Sequence, residues 1–530
     1  MELNKIMTAR EAIDKYIKDG DTVLIDGFSV CGGAEEVLLE MENSFKETGH
    51  PCNLTTFGAS YGNAKGRGMD HLAHEGLVKK VIAGYFAMNR NLGKLVMDNK
   101  IEAYLYPLGT LSQIFREQAA GHPGLITQIG LDTFIDPRNE GCGLNDISKD
   151  QMNEVITIDG KEWLFFHAVP ADVTIIRGTT ADEFGNITYE REVGYYNCIS
   201  AAQAAKNNGG KVIAQVERVV AHGSLKPKDV KVPGILVDAI VVASPENHPM
   251  TWAMPYDPFF SGELRGPAQL KSGKPFRMTA KKIIGRRAAF ELRPNQVVNL
   301  GVGAPEYVAT VANEEGVGDW FTLTVEDGIV GGIPGHGLSF GSSYNSEAVI
   351  DMPYQFDFYD GGGLDVTFVG LGQCDATGSV NVSKLGTRLP GVGGFLSVVQ
   401  AKKAVFCGTF VNTPKGVETV HVKDGKLVIE GETEDVVKIK FVNNLIQKTF
   451  SGPYAYKTGQ PLLYVTERCV FTISEEGLVL SEIAPGVDLE KDILRWMEFK
   501  PIISKDLKLM DPAIFQEPPM GVEKLRQYAE

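Results

Sequence analysis

The chain's two halves repeat the same landmarks in the same order, and this constrains the fold more than any other feature. Met7-Thr8-Ala9 opens a helical stretch, and so does Met278-Thr279-Ala280. Each is followed by a β-like run that ends in glycine, Thr22 to Gly27 and Gln296 to Gly301. Each run passes through a glycine-rich turn into a helix that starts near an acidic residue, Glu35 or Glu306. A second pair is tighter. Asp172-Val173-Thr174-Ile175-Ile176 leads to Asp182 and Gly185-Asn186, while Asp365-Val366-Thr367-Phe368-Val369 leads to Asp375 and Gly378-Ser379. The spacing from Asp172 to Asp182 equals that from Asp365 to Asp375. Two matches in one order point to an internal duplication.

Strand-like runs alternate with helical stretches in both halves, at Lys211 to Val216, Ile235 to Ala243, Phe321 to Val325 and Lys403 to Phe410. Alternation of this kind predicts α/β domains with open, mostly parallel sheets. Turn signals at Val422-Lys423-Asp424-Gly425-Lys426 and Ile473-Ser474-Glu475-Glu476-Gly477 predict hairpins, and so antiparallel edge strands late in the chain. At 530 residues the chain exceeds what one core usually supports. Pro255 to Arg277 is rich in Pro, Gly and charge, with Pro258, Pro267 and Pro275, and reads as a linker. The expected division is an N-terminal domain 1–245, a linker 246–277 and a C-terminal domain 278–530.

A formal charge of -15 leaves no basic surplus to neutralise phosphates, which argues against a nucleic-acid partner. It leaves room for an anionic ligand held by a few local cations or backbone amides. The N-terminal stretch is charged throughout, and no apolar run approaches membrane-spanning length. The seven cysteines are scattered with no CxxC pair, so neither a disulfide scaffold nor a structural metal is expected. The reading is of reduced thiols in a cytoplasmic protein that contacts no membrane.

The sharpest chemical feature is Phe321-Thr322-Leu323-Thr324-Val325-Glu326-Asp327-Gly328, an apolar β run ending in a carboxylate. Glycines 332, 335, 337 and 341 follow it. Ligands of open α/β sheets sit beyond the carboxyl ends of strands, where a desolvated, aligned carboxylate can act as a nucleophile. Taken alone, an acidic residue capping a strand reads as well. Gly301-Val302-Gly303-Ala304-Pro305-Glu306 presents backbone N–H groups at a helix start, but lacks the third glycine of a dinucleotide fingerprint. Gly391-Val392-Gly393-Gly394-Phe395 permits close backbone approach, although alone it reads as a tight turn. Gly337-Leu338-Ser339-Phe340-Gly341 matches the spelling of a nucleophile elbow, yet the residues before Ser339 cannot form the strand an elbow needs. Asp70-His71-Leu72-Ala73-His74-Glu75 spaces two histidines along a helix with no third ligand cluster. An N-capping Asp70 with ordinary surface or interface histidines is the expectation there.

Together these residues resemble the family I CoA-transferases. The resemblance is carried by Thr322 to Gly341 (TLTVEDGIVGGIPGHGLSFG), the GVGAPE turn, the GVGGF loop, Val232 to Asp238, Tyr464 to Arg468 and Glu482 to Gly486. Within that family the chain is most similar to the propionate or acetate CoA-transferases, in which α and β subunits are fused into two related halves. The resemblance implies that Glu326 is a covalent nucleophile in a ping-pong reaction. An acyl-glutamyl anhydride and a glutamyl-CoA thioester would be its intermediates. It implies oxyanion or CoA-binding roles for Val302, Gly303, Gly391, Gly393 and Gly394, with the N–H groups of Val302 and Gly394 as the donors. Acyl-CoA and short carboxylic acids (acetate, propionate, butyrate, lactate) are the implied substrates. Coenzyme A is then a substrate and covalent intermediate, no cofactor is bound permanently, and the assembly is a homo-oligomer, dimer or tetramer.

Two departures stand out. Pro107-Leu108-Gly109-Thr110 has leucine where the family has glutamine in the acid site. This makes Leu108, with Gln373, a candidate pocket residue and opens the site to a longer aliphatic or an aromatic acid. Ala34 replaces a family proline at a helix start and implies only a softer helix entry.

Overall fold

The computed structural model describes residues 5–58, 61–63, 66–266, 277–386 and 389–529. Pro267 and Pro275 of the expected linker lie outside the described residues. The chain divides into two compact units, each discontinuous in sequence. The first takes Met1–Ala268, Val325–Phe358 and Thr387–Ser397, and the second takes Gln269–Thr324, Tyr359–Gly386 and Val398–Glu530.

In the first unit, seven strands lie in the order Ala239–Val242, Lys211–Val220, Val173–Asp182, Thr22–Ile25, Leu54–Gly58, Val78–Ala83 and Glu102–Leu105. All neighbours in this series are parallel. The central strands are apolar on both faces, with Val23, Leu24, Ile25, Ile175 and Ile176 all buried, as a parallel sheet covered on both sides requires. The helix Ala9–Tyr16 begins at a capping box in which Thr8 accepts from the Glu11 N–H and Glu11 reaches back to Thr8.

The second unit repeats the scheme. Leu462–Val465, Lys403–Cys407, Val366–Gly370, Gln296–Leu300 and Phe321–Thr324 lie in that order, again all parallel. The helix Ala280–Ala289 starts at Thr279, whose side chain accepts from the Lys282 N–H. The core of this unit centres on Ile283, Ile284, Val298, Val311, Val366, Phe368 and Val405.

The duplicated aspartates perform duplicated work. Asp172 Oδ2 accepts from Thr22 N–H at 2.8 Å and Asp365 Oδ2 accepts from Val297 N–H at 2.8 Å, which fixes the register of the first strand in each unit. Ten residues on, Asp182 Oδ1 accepts from the N–H groups of Phe184 and Asn186, and Asp375 Oδ1 from those of Thr377 and Ser379. These are Asx-type turns whose glycines, Gly185 and Gly378, sit at positive φ.

Beyond the repeat, the second unit adds the antiparallel strands Cys469–Ser474 and Gly477–Ile483. A separate hairpin pairs Val420–Lys423 with Lys426–Ile429 through a two-residue Asp424-Gly425 turn, both residues at positive φ. Both predicted hairpins are therefore present. The run Ile235 to Ala243 is shorter as a strand than its composition predicts. Gly234–Leu236 forms a 3-10 turn, and the strand begins at Ala239 after Asp238 has turned its carboxylate onto Val212 N–H.

Candidate active site

Glu326 and Asp327 occupy the two central positions of a tight turn. The Gly328 N–H returns to the Val325 carbonyl at 3.2 Å, and the Val325 N–H donates to the Ile329 carbonyl at 2.9 Å. Gly328 is required at the fourth position. Its φ is 110°, and a Cβ there would stand 1.9 Å from the Ile350 carbonyl oxygen. The turn directly follows the strand Phe321–Thr324, so the carboxylate stands just past a strand's carboxyl end.

Glu326 is largely buried, with 8% of its surface exposed. Its side chain lies against the backbone of Gly394: a Cβ built on Gly394 would fall 2.6 Å from Glu326 Cγ and 3.0 Å from Oε1. Only glycine admits so close an approach of side chain to main chain.

The loop that carries Gly394 is held from below. The N–H groups of Val392 and Gly393 both donate to the Gly84 carbonyl, at 3.2 and 2.8 Å, and Phe86 N–H donates to the Pro390 carbonyl at 2.8 Å. Gly391 meets Tyr85 so closely that a Cβ would lie 3.0 Å from its Cα. The Val392 and Gly393 amides are thus engaged, and Gly394 is the residue of this loop that the Glu326 side chain approaches. The segment Gly84-Tyr85 follows the carboxyl end of strand Val78–Ala83.

Leu108 is buried, at 3% exposure, on the first turn of helix Leu108–Ala119, and its N–H donates to the Gly393 carbonyl at 3.2 Å. The apolar departure is thus one hydrogen bond from the loop that touches the carboxylate. Gly109 beside it makes room for Ser397 Oγ and the Phe356 ring, which a Cβ would meet at 2.5 and 2.7 Å.

The other candidates lie in the second unit. Val302 is 64% exposed, and Gly303, at φ 101°, has nothing within 4 Å of a built Cβ. Gln373 Oε1 accepts from Asn381 Nδ2 at 2.6 Å, so its amide is already engaged. The structure therefore brings Glu326, Gly394, Gly393, Gly391 and Leu108 together in the first unit, and places Val302, Gly303 and Gln373 in the second.

The sequence motifs set aside behave structurally. Ser339 lies in a 3-10 turn, Gly337–Ser339, with its Oγ 3.3 Å from Thr251 Oγ1. Asp70 does cap a helix, but a remote one: its Oδ1 accepts from the N–H groups of Asn91 and Leu92. His71 is buried rather than on the surface, with Nε2 3.0 Å from Glu35 Oε1 and Nδ1 close to Glu42 Oε2. Those two carboxylates raise the proton affinity of His71 against the opposing effect of burial. Its position follows from tertiary packing against helix Glu35–Thr48, which the spacing of the histidines does not encode. All seven cysteines are free, and six are buried.

Sequence reasoning passed over Gly84 and Asp327. Gly84 acts through a carbonyl and leaves no side-chain signal. Asp327 was visible beside Glu326, but only the fold shows how deeply it is buried.

A sequence model of the family described as Coenzyme A transferase matches residues 6–243. Over 98% of its length the chain is 46% identical to a caffeate CoA-transferase of Acetobacterium woodii, covering 99% of that protein. It is 42% identical to the acetate CoA-transferase YdiF of Escherichia coli strain K12, over 97% of this chain and 96% of the relative. Among solved structures, the acyl-CoA transferase YdiF apoenzyme of Escherichia coli O157:H7 matches with a TM-score of 0.91 at 40% identity, covering 98% of both chains. A thioester complex of the O157:H7 enzyme with CoA matches with a TM-score of 0.89 at 39% identity, covering 98% of this chain and 97% of that one.

Proposed function

Because this chain belongs to the coenzyme A transferase family and is a CoA-transferase, we propose that Glu326 is the nucleophile through which it moves coenzyme A from an acyl-CoA to a free carboxylic acid. The observation that carries this is the contact between the Glu326 side chain and the Gly394 backbone. In the first step Glu326 attacks the acyl-CoA carbonyl and expels CoA thiolate, which leaves an acyl-glutamyl anhydride. The thiolate then attacks the glutamyl carbonyl, releasing the first acid as its carboxylate and leaving a glutamyl-CoA thioester. An incoming carboxylate runs the same two steps backwards and departs as its CoA ester.

Each step passes through an oxyanion, which preorganised N–H donors stabilise. The Gly394 N–H is the donor this reading assigns beside Glu326. Val302 and Gly303, with their open turn, remain the second candidates for oxyanion or CoA contact, and Gly391 and Gly393 shape the loop. The thioester complex reported for the Escherichia coli O157:H7 enzyme supports a covalent route.

The acids are proposed to be short-chain ones such as acetate, propionate, butyrate or lactate. A second reading, the same chemistry on a larger apolar or aromatic acid, is favoured by buried Leu108 and by the 46% identity to a caffeate CoA-transferase. Coenzyme A is substrate and transient covalent partner, with no permanently bound cofactor. We take the enzyme to be a cytoplasmic homo-oligomer, dimer or tetramer, built from homologous halves 1–245 and 278–530.

Intact-protein mass spectrometry tests this directly. The enzyme is incubated with acetyl-, propionyl-, butyryl-, lactoyl- and caffeoyl-CoA and no acceptor acid. The expected gain is one CoA less one water, mapped to Glu326, and the extent of labelling ranks the donors. A label on another residue, or turnover with no adduct under any donor, overturns the mechanism. Continuous CoA release without a second carboxylate would identify a hydrolase instead. Leu108→Gln is expected to shift preference toward acetate, and an unchanged donor ranking removes Leu108 from the acid pocket.

A further inference from the structure

The turn that presents Glu326 carries a second carboxyl, and it is the more deeply buried of the two. Asp327 has 0% of its surface exposed, and among the described residues neither side-chain oxygen makes a well-formed hydrogen bond, the nearest donors being the N–H groups of its own turn, Asp327 and Ile329. The ionisable groups that act on it are Glu326 on its own turn, Cys31 on the turn after strand Thr22–Ile25, and Tyr196 just before helix Cys198–Asn207. None of them is a cation. Gly194 lies against the main chain of Asp327, where a built Cβ would stand 3.6 Å from its backbone carbonyl oxygen.

Other buried carboxyls in the same unit are treated differently. Glu192 lies 3.2 Å from Arg177 Nε, and this guanidinium holds its carboxyl down to about 2 against the effect of burial. Asp26 accepts from both the N–H and Nδ2 of Asn197, at 3.1 and 3.3 Å, and burial lifts it only to about 7. Among the described residues no cation acts on Asp327, and the backbone N–H groups of Asp327 and Ile329 only partly offset its burial. Burial, and then repulsion by Glu326, push it well above the ordinary carboxylate range.

We propose that Asp327 is a positioning residue for Glu326: its buried carboxyl carries a proton, so that the turn bears a single negative charge and that charge stands on the nucleophile. The catalytic half of this inference rests on Glu326 being the nucleophile. The chemistry gives the arrangement its use. The acceptor acid enters as an anion, and the first acid leaves as one. A second fixed charge beside Glu326 would repel both. Once Glu326 is a neutral thioester, a neutral Asp327 leaves the approach of the incoming carboxylate unopposed.

The test follows the proton rather than turnover alone. An acid whose proton is held more tightly in the folded than in the unfolded chain costs no stability below its unfolded value of about 4, and an increasing amount as pH rises above it. Asp327→Asn removes that cost. Its melting temperature is therefore expected to exceed that of wild type by a margin that widens from about pH 4 to pH 7. Infrared spectroscopy of the full chain at neutral pH should show a protonated-carboxyl band that Asp327→Asn abolishes. In Glu326→Gln, where the repelling charge is gone, that band should disappear at lower pH than in wild type. The rate of CoA-adduct formation should fall at least about tenfold in Asp327→Leu and recover to within about threefold of wild type in Asp327→Asn. A pH-independent stability difference, no protonated band, or an asparagine variant as slow as the leucine one overturns the proposal. Adduct mapping addresses the Glu326 assignment by itself, whereas the stability and infrared measurements report the Asp327 proton whether or not Glu326 reacts.

Discussion

The turns that follow the first strand of each unit began as copies and now differ in what fills them. Both leave a strand of the same rank in a parallel sheet, and both lead into a helix that starts at an acidic residue, Glu35 or Glu306. In the first unit the turn is packed shut. A Cβ on Gly32 would fall 2.1 Å from the Tyr196 ring, and one on Gly33 would fall 2.0 Å from the Tyr61 ring. In the second unit Val302 is exposed and Gly303 faces open space. One half uses its glycines to admit core aromatics, while in the other the corresponding glycine has no neighbour within 4 Å of a built Cβ.

The next strand over shows the same asymmetry. Val23 pairs with Thr56 and Val298 with Leu323, so counting along the strands matches Glu326 to Ala59, which lies outside the described residues. At this position one half has a glutamate and the other an alanine. Glu326→Ala should cost about four orders of magnitude or more in transfer rate, measured with acyl-CoA and excess acid. Adding Ala59→Glu to that variant should restore nothing. Recovery would mean that the two halves remain chemically interchangeable and would break the comparison.

Gly394→Ala probes the backbone contact itself. A methyl group 2.6 Å from Glu326 Cγ must displace the side chain, and a displaced nucleophile costs about a hundredfold in kcat with little change in melting temperature. Equal losses of stability and rate would show that the glycine serves the fold alone.

The two turns can then be set against each other. Gly33→Ala drives a methyl group into a buried ring and should destabilise the protein by about 2–3 kcal/mol in denaturant unfolding. Gly303→Ala meets no neighbour and bears only the strain of its positive φ, about 1–2 kcal/mol. A larger loss at Gly303 would reverse the assignment of packed and open turns.

Smallest are the paired helix caps. Thr8→Ala and Thr279→Ala should each cost about 1 kcal/mol, in keeping with one cap role copied into both halves. Values that differ by more than about 1 kcal/mol would show that the copies have diverged there too.

Much of this architecture is legible in the sequence. Asp182 and Asp375 marked equivalent turns because an Asx turn needs a short acceptor side chain a few residues before its glycine whatever surrounds it, and Asp172 and Asp365, ten residues before them, marked the strands between. Glu326 was legible as a strand-end carboxylate, but its residue type alone fits a capping acid as well, and only the resemblance of its surroundings singled it out. His71 was misjudged, since its burial depends on helix Glu35–Thr48 lying over it, and Glu42 is remote from it in sequence. Gly84 was invisible because a carbonyl acceptor can be supplied by any residue.

Local chemistry written into the chain thus determined the duplicated α/β scaffold, the strand-end glutamate and the glycine loops, since period, turn type and capping act over a few residues and need no distant partner. The tertiary structure alone decided which glycines face open space and which face a tyrosine ring, that Gly394 lies against Glu326, and that Asp327 is fully buried. Those outcomes depend on segments far apart in sequence meeting at distances of a few ångströms, where burial and steric exclusion assign different roles to residues of the same type.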